Sequence, residues 1–192
     1  MYIKNWKKEI LSIPNLLSLF RLALIPVYVV IYLNAQTPAH YYLAGGILAV
    51  SCLTDMIDGK IARKFDMITK LGIFLDPVAD KATQFTLTIC LAIKYPILWN
   101  LAGFFVLKEG FQLIAGFVMF HKGKMLKGAL LPGKICTTVL FVSLIILVMN
   151  PDASKEFVNW VTYVDSAFMA VSLLSYILAY FGKNKKFQDI SE

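Results

Sequence analysis

The chain has 192 residues, of which 58% are hydrophobic and only 16% are charged, and its formal net charge is +7. Soluble domains carry about 25% charged residues, and a water-soluble globule of this size could not bury so much apolar surface. Disordered, collagen-like and disulfide-rich proteins need other compositions. The composition indicates an integral membrane protein, for which we expect neither an attached soluble domain nor a nucleic-acid partner.

Apolar runs and helix breakers predict an all-α bundle of six transmembrane helices. Each run is long enough to cross the hydrocarbon core, which takes about 20 residues. In chain order the predicted spans are residues 14–34, 39–63, 71–94, 97–120, 131–149 and 157–181. Ahead of them, residues 1–13 alternate apolar and basic residues at helical spacing, which predicts a short amphipathic helix in the headgroup plane. We expect residues 1–192 to form a single membrane domain.

The distribution of basic residues predicts the orientation of the bundle. Fourteen of the 19 Lys and Arg residues fall on one side, whereas only Lys94 and Lys155 fall on the other. The remaining three, Arg21, Lys81 and Lys108, lie within predicted spans. By the positive-inside rule, both termini are cytoplasmic. We expect the membrane to be a bacterial plasma membrane.

Four aspartates lie inside two neighbouring apolar helices, where charges are costly and usually functional. Asp55 and Asp58 are three residues apart near the end of the second predicted span, and Asp76 and Asp80 are four apart near the start of the third. Both separations place a pair on one helix face. Because a short loop makes the two helices antiparallel neighbours, we expect all four carboxylates at about the same depth, close to the cytoplasmic side.

Four carboxylates in a low-dielectric site must be either protonated or neutralised by cations. Two divalent ions balance four negative charges, and oxygen ligands alone suit Mg²⁺ or Mn²⁺. Such a two-metal site stabilises the attacking and leaving oxygens of a displacement at phosphorus. A cytoplasmic mouth admits a water-soluble nucleotide, while the membrane depth admits a lipid from the side. The cluster therefore predicts phosphoryl transfer that involves a lipid.

The spacing of these aspartates resembles a known signature. Asp55-Met-Ile-Asp58-Gly-Lys-Ile-Ala-Arg63, eight further residues, and Gly72-Ile-Phe-Leu-Asp76-Pro-Val-Ala-Asp80 match D-x2-D-G-x2-A-R-x8-G-x3-D-x3-D without a gap. This is the signature of the CDP-alcohol phosphotransferase (CDP-alcohol phosphatidyltransferase) family. Residues 13–21, 75–81 and 133–138 resemble its phosphatidylglycerophosphate synthase branch, so the likeness spans nearly the whole chain.

The resemblance implies an enzyme that transfers the phosphatidyl group of CDP-diacylglycerol to the hydroxyl of glycerol 3-phosphate, which gives phosphatidylglycerophosphate and CMP. By their places in the motif, Asp55, Asp58, Asp76 and Asp80 would ligate two divalent cations, Mg²⁺ or Mn²⁺. Asp80 would also be the general base that takes the proton from the acceptor hydroxyl. The family resemblance further implies a homodimer among membrane lipids.

The resemblance also assigns substrate contacts. Gly59 and Ala62 would leave room for the cytidine nucleotide, and Arg63 would pair with its diphosphate, which suits a planar guanidinium. The full set of implied nucleotide-binding positions is Asp55, Gly59, Ala62, Arg63 and Gly72. For the acceptor phosphate the candidates are Lys134, Lys108 and Arg21. Lys108 stands where the branch usually carries Arg.

Three alternatives stay open. The first alternative is the same chemistry with another acceptor, phosphatidylglycerol. This is the acceptor of the CMP-forming cardiolipin synthase of the same family, whose Asp-Pro-x-Ala-Asp-Lys segment is similar to residues 76–81. A small ion-coupled transporter would use a carboxylate cluster, although this sequence lacks the paired halves of such proteins. Intramembrane aromatic prenyltransferases hold a diphosphate with Asp-rich motifs of different spacing. Asp165 and Lys81 receive no assigned role.

Overall fold

The computed structural model describes residues 12–64, 70–121, 124–126, 128, 130–181 and 187–189. Within this part, side chains are described except at 13, 55–64, 70, 71, 73, 74, 124–126 and 187–189. The prediction of residues 1–13 as an interfacial helix therefore lies almost wholly outside the described residues. The same holds for the side chains of the first half of the aspartate motif.

Six long helices make up most of the described chain: α1 (Ile13–Leu33), α2 (Pro38–Lys64), α3 (Lys70–Lys94), α4 (Leu98–His121), α5 (Leu131–Met149) and α6 (Lys155–Phe181). The predicted helices are confirmed, and each boundary agrees within two residues. The α1 boundaries follow from local chemistry. Pro14 occupies the first turn, where its missing N–H costs nothing, and the Asn34 side chain donates a 2.8 Å hydrogen bond to the Val30 carbonyl at the other end.

Two three-residue strands, β1 (Lys124–Leu126) and β2 (Phe187–Asp189), pair in an antiparallel ribbon. Lys124 lies opposite Asp189, and Leu126 lies opposite Phe187. This ribbon was not predicted from the sequence, because three residues are too few to show the alternation that identifies a strand. It ties the loop after α4 to the chain that follows α6.

Four of the described helices are long and apolar enough to cross a membrane: Pro14–Leu33, Leu98–His121, Leu131–Met149 and Lys155–Phe181. Their outward side chains are large and apolar, with Leu113 and Phe181 among the most exposed, as expected for contact with lipid. The chain is thus an integral membrane protein. Helices α2 and α3 are equally long but carry the aspartates and several basic residues, so the count of six spans stays a prediction.

The described residues group into two compact units, and the boundary between the units falls within α3 and α5. The first comprises Met1–Leu91 with Ile145–Asp152, and in it α1 packs along α2. Here Gly45 lets α2 approach the end of α5, since an added Cβ would lie 2.7 Å from Cγ of Met149. A small residue at a helix contact is typical of membrane proteins.

The second unit comprises Ala92–Leu144 with Ala153–Glu192, and in it α4 packs along α6. The buried residues of each helix follow the three-to-four-residue period of a helix, which places them on one face. On α4 these are Leu98, Leu101, Ala102, Phe105 and Lys108. On α6 they are Val158, Thr162, Asp165, Met169, Ser172, Tyr176 and Ala179.

We expect the loop between α2 and α3 to face the cytoplasm, because six spans and cytoplasmic termini require it. A single cysteine at Asp66 (Asp66→Cys), in a chain whose Cys52, Cys90 and Cys136 are replaced by Ala, should react with a membrane-impermeant thiol reagent only from the cytoplasmic side. Asn150→Cys is the control for the opposite side. Labelling of position 66 from the outside would mean that α2 and α3 do not cross the bilayer.

Candidate active site

Three polar side chains interrupt the otherwise apolar helix α1. Asn15, Ser18 and Arg21 follow one another at intervals of three residues, and all three are buried. Residues three apart lie on one face of a helix. Buried polar groups need hydrogen-bond partners. The Ser18 hydroxyl has one within α1, the Pro14 carbonyl at 3.1 Å, but the buried guanidinium of Arg21 needs an anion from another helix.

The partners of Ser18 and Arg21 are two aspartates of α3, which share a helix face because they are four residues apart. The Arg21 guanidinium donates a hydrogen bond from Nη1 to Oδ1 of Asp80, and its Nη2 lies 3.9 Å from Oδ1 of Asp76. The Ser18 hydroxyl donates to the same Asp76 oxygen and accepts a 3.4 Å hydrogen bond from Nη2 of Arg21. Two residues of α1 therefore hold both carboxylates.

The guanidinium of this cluster is buried, whereas the two carboxylates are partly exposed. The Arg21 side chain is 3% exposed, whereas those of Asp76 and Asp80 are 42% and 41% exposed. An unpaired ion in an apolar interior costs several kcal/mol, so the two carboxylates compensate for the burial of the guanidinium. In return, Arg21 fixes the carboxylates from their buried side, while the exposed part of each stays accessible to a ligand.

Helix α2 meets α1 and α3 at a crevice directly beside this cluster. Ser51 of α2 precedes Asp55 by one helical turn, and Thr83 of α3 follows Asp80 by less than one turn. Both line the crevice together with Arg21. The part of α2 just before Asp55 and the part of α3 just after Asp80 therefore border the same crevice. The full lining is Arg21, Leu24, Ile25, Tyr28, Ile47, Leu48, Ser51, Thr83, Thr86 and Leu87.

The predicted quartet is described only in half. Asp76 and Asp80 come together, whereas the side chains of Asp55 and Asp58 lie outside the described residues, so their convergence stays a prediction. Among the described side chains there is no group of three metal-binding residues. Of the predicted nucleotide-binding positions, Gly72 is buried on α3. The side chains of Ala62 and Arg63, like the surroundings of Gly59, fall outside the described part.

The three acceptor candidates have different environments. Arg21 is engaged with the aspartates. Lys108 is 2% exposed on α4, and its ammonium lies 2.7 Å from Oε1 of the neighbouring Glu109. Lys134 is exposed in the first turn of α5, and no ion pair is observed for it among the described residues. Only Lys134 thus presents its charge at a surface.

Sequence reasoning missed the role of Ser18 as a partner of Asp76. Its only signal is the interval of three that it shares with Asn15 and Arg21, a polar stripe in an apolar helix. From the sequence, Asp165 is a charged residue within a predicted span, and no partner for it could be predicted. In the structure it is 1% exposed on α6, beside Ser143 of α5. A single sequence does not indicate which helix supplies such a neighbour.

A family model for the CDP-alcohol phosphatidyltransferases matches residues 11–178 of the chain. The chain belongs to this family. The match includes α1 to α5, nearly all of α6, and thus every residue of the candidate site. Membership makes the chain a phosphatidyltransferase rather than an ion-coupled transporter or a prenyltransferase.

Similar proteins of two kinds are known, glycerol-3-phosphate phosphatidyltransferases and a protein that contains a cardiolipin synthase. The chain is 31% identical over 172 residues to the CDP-diacylglycerol–glycerol-3-phosphate 3-phosphatidyltransferases of Escherichia coli K12 and Shigella flexneri serotype 5b, covering 88% of this chain and 94% of theirs. It is 38% identical over 102 residues to a cardiolipin synthase (CMP-forming)/mitochondrial hydrolase fusion protein of Schizosaccharomyces pombe. That match covers 52% of this chain and spans only 16% of the fusion protein.

Ser18→Ala should lower the phosphatidyltransferase kcat/KM about tenfold to a hundredfold, because a hydrogen bond to an ionised carboxylate is worth about 1.5–3 kcal/mol. The steady-state rate of the purified enzyme measures this effect. Ser175→Ala is the matched control, since the Ser175 hydroxyl bonds the Val171 carbonyl of its own helix at 2.8 Å. Equal rates for the two variants would show that the hydrogen bond to Asp76 has no catalytic importance.

Proposed function

We propose that the chain transfers the phosphatidyl group of CDP-diacylglycerol to the hydroxyl of glycerol 3-phosphate and releases CMP. The observation that carries this proposal is the pair of half-exposed carboxylates, Asp76 and Asp80, held by buried Arg21 at the end of the family motif. Support for the acceptor comes from bacterial relatives that match this chain over 94% of their length and are named for glycerol 3-phosphate.

The charge balance of the motif favours divalent cations as cofactors. Arg21 brings one positive charge to Asp76 and Asp80, and the motif adds Asp55 and Asp58, so one guanidinium leaves most of the negative charge uncompensated. Oxygen ligands alone suit Mg²⁺ or Mn²⁺. In our proposal the four aspartates hold two such ions. When bound, these ions supply stabilisation of the charge on the phosphate oxygens.

Asp80 acts as the general base in this proposal. It takes the proton of the acceptor hydroxyl as the acceptor oxygen forms a bond to the lipid-side phosphorus and the bond from that phosphorus to the CMP oxygen breaks. Arg21 keeps the Asp80 carboxylate oriented from the buried side, and Ser18 does the same for Asp76. The two α1 residues thus act through the aspartates, since an oriented group loses less freedom on reaching the transition state.

The remaining motif residues bind the nucleotide. We propose that Gly59 and Ala62 leave space for cytidine beside the α2 backbone and that Arg63 pairs with the diphosphate. Gly72, which is buried on α3, completes the motif positions assigned to the nucleotide together with Asp55. This arrangement requires the motif to open to the cytoplasm of a bacterial cell, where the nucleotide is soluble. The homodimer stays a prediction.

Lys134 is our first candidate for contact with the acceptor phosphate. Lys134 is exposed in the first turn of α5, where the positive end of the helix dipole also favours an anion. Lys108 is buried and paired with Glu109, so its charge is compensated within the protein. A lysine contacts phosphate as a point charge and needs no planar geometry.

A second acceptor, phosphatidylglycerol, is favoured by one observation, the similarity to the fusion protein that contains a cardiolipin synthase. Both acceptors present a hydroxyl for attack and a phosphate for recognition. They differ in solubility, because glycerol 3-phosphate arrives from water and phosphatidylglycerol arrives within the bilayer. The identity of the lipid product therefore separates the two functions.

Purified protein with CDP-diacylglycerol, Mg²⁺ or Mn²⁺ and glycerol 3-phosphate should release CMP and form phosphatidylglycerophosphate, identified by its mass. Chelation of the metal should abolish both the release of CMP and the formation of the lipid product.

Asp80→Asn should lower the rate at least about a hundredfold, the contribution typical of a general base, and should still bind CDP-diacylglycerol. A product made only from phosphatidylglycerol would refute the proposed acceptor, and an active Asp80→Asn enzyme would refute the base.

Lys134→Ala should raise the KM for glycerol 3-phosphate about tenfold or more, because a hydrogen bond to a charged group is worth about 1.5–3 kcal/mol. The KM for CDP-diacylglycerol should change little. Initial rates with each substrate varied in turn measure both constants. If both KM values rise equally, Lys134 does not contact the acceptor phosphate.

A further inference from the structure

The start of helix α5 is held by one side chain of α6. Tyr176 is 8% exposed, and its hydroxyl oxygen accepts a 3.3 Å hydrogen bond from the N–H of Leu130, the residue just before α5. Free N–H groups at a helix start need partners from outside the helix. Tyr176 therefore supplies a partner for the backbone at the point where α5 begins.

The same ring also touches the first turn of α5 three residues further on. A Cβ added at Gly133 would lie 2.8 Å from the Tyr176 hydroxyl oxygen and 2.9 Å from its Cε2. Distances under 3.0 Å are essentially never seen for a real Cβ, so a larger residue at 133 would force the Tyr176 ring or the turn to shift. Leu130 and Gly133 flank Pro132, and Tyr176 thus fixes the backbone on both sides of it.

Lys134 follows directly on this fixed segment. The Lys134 N–H donates to the Leu130 carbonyl at 3.1 Å, which closes the first turn. From the other side, the hydroxyls of Thr137 and Thr138 donate to the Lys134 carbonyl at 2.9 and 3.0 Å. The backbone of Lys134 is therefore held from both directions, while its side chain is exposed.

We propose that Tyr176 is a positioning residue for the acceptor. Through Leu130 and Gly133 it fixes the place from which the Lys134 ammonium contacts the acceptor phosphate. The lysine stem is flexible, so the ammonium is positioned mainly through the backbone that carries it. A small displacement of a binding group is enough to weaken the bound geometry. This inference rests on the proposed function of Lys134.

Tyr176→Phe keeps the ring and removes only the hydroxyl. We expect the KM for glycerol 3-phosphate to rise about threefold to tenfold, as for the loss of one hydrogen bond, with kcat and the KM for CDP-diacylglycerol within about twofold of the parent. Tyr163→Phe, on an exposed part of α6, is the control and should change none of these constants. Thermal unfolding of both variants monitors the fold.

Gly133→Ala tests the ring contact independently. It should raise the same acceptor KM, whereas Gly103→Ala should not, because an added Cβ at Gly103 meets nothing within 4 Å. The methyl group added by Gly133→Ala would collide with the Tyr176 ring. Tyr176→Leu replaces this ring by a shorter side chain and so removes the collision. The double variant Gly133→Ala/Tyr176→Leu should therefore be no worse than Tyr176→Leu alone, since the two positions are coupled. Additive effects on the acceptor KM would overturn the inference.

Lys134→Ala separates this inference from the proposed function. If Lys134→Ala raises the acceptor KM and Tyr176→Phe does not, the positioning role is wrong and the proposed function stands. If Tyr176→Phe impairs both substrates or only kcat, Tyr176 serves general stability and the positioning role is again wrong. If Lys134→Ala leaves the acceptor KM unchanged, the role of Lys134 and the inference fall together.

Discussion

The arrangement of the first compact unit depends on the pairing of buried Arg21 with two aspartates of α3. A guanidinium two turns inside an apolar helix is costly unless it is paired. The pairing therefore requires α1 to lie against α3 with its polar stripe inward, which also places Ser18 against Asp76. Because both aspartates belong to the family motif, one electrostatic requirement serves the packing of the helices and the orientation of the candidate active site.

The same pairing explains why a membrane enzyme can keep reactive carboxylates near an apolar environment. Arg21 contributes its charge from the buried side, and the outer surfaces of the two carboxylates stay accessible. One cation does not balance four acids. In the proposed site, to which Asp55 and Asp58 also belong, divalent cations would compensate the remaining negative charge, and the metal ions and the diphosphate of the substrate would each compensate the charge of the other.

The sequence sufficed to predict the helices and the aspartate motif, because long apolar runs and fixed spacings are local signals. It did not predict the partners of single polar residues. Arg21 was predicted from the sequence as a candidate for the acceptor phosphate, whereas its pairing with Asp76 and Asp80 follows only from the packing of α1 on α3. Ser18, the Tyr176 contact with Gly133 and the ribbon of β1 and β2 likewise depend on which distant segments meet, and one sequence carries no information on such pairs.

Two different physical solutions orient charge in this enzyme. Arg21 is buried, and its planar fork contacts two carboxylates directly, so its charge is oriented by the groups it binds. Lys134 is flexible and exposed, and its position can be defined only by the turn from which it extends. This difference accounts for the density of backbone contacts around residues 130–138, where a tyrosine hydroxyl, a glycine and two threonine hydroxyls fix one turn. In the proposed reaction, a lysine on a fixed turn would suit glycerol 3-phosphate, which enters from water and leaves as part of a lipid.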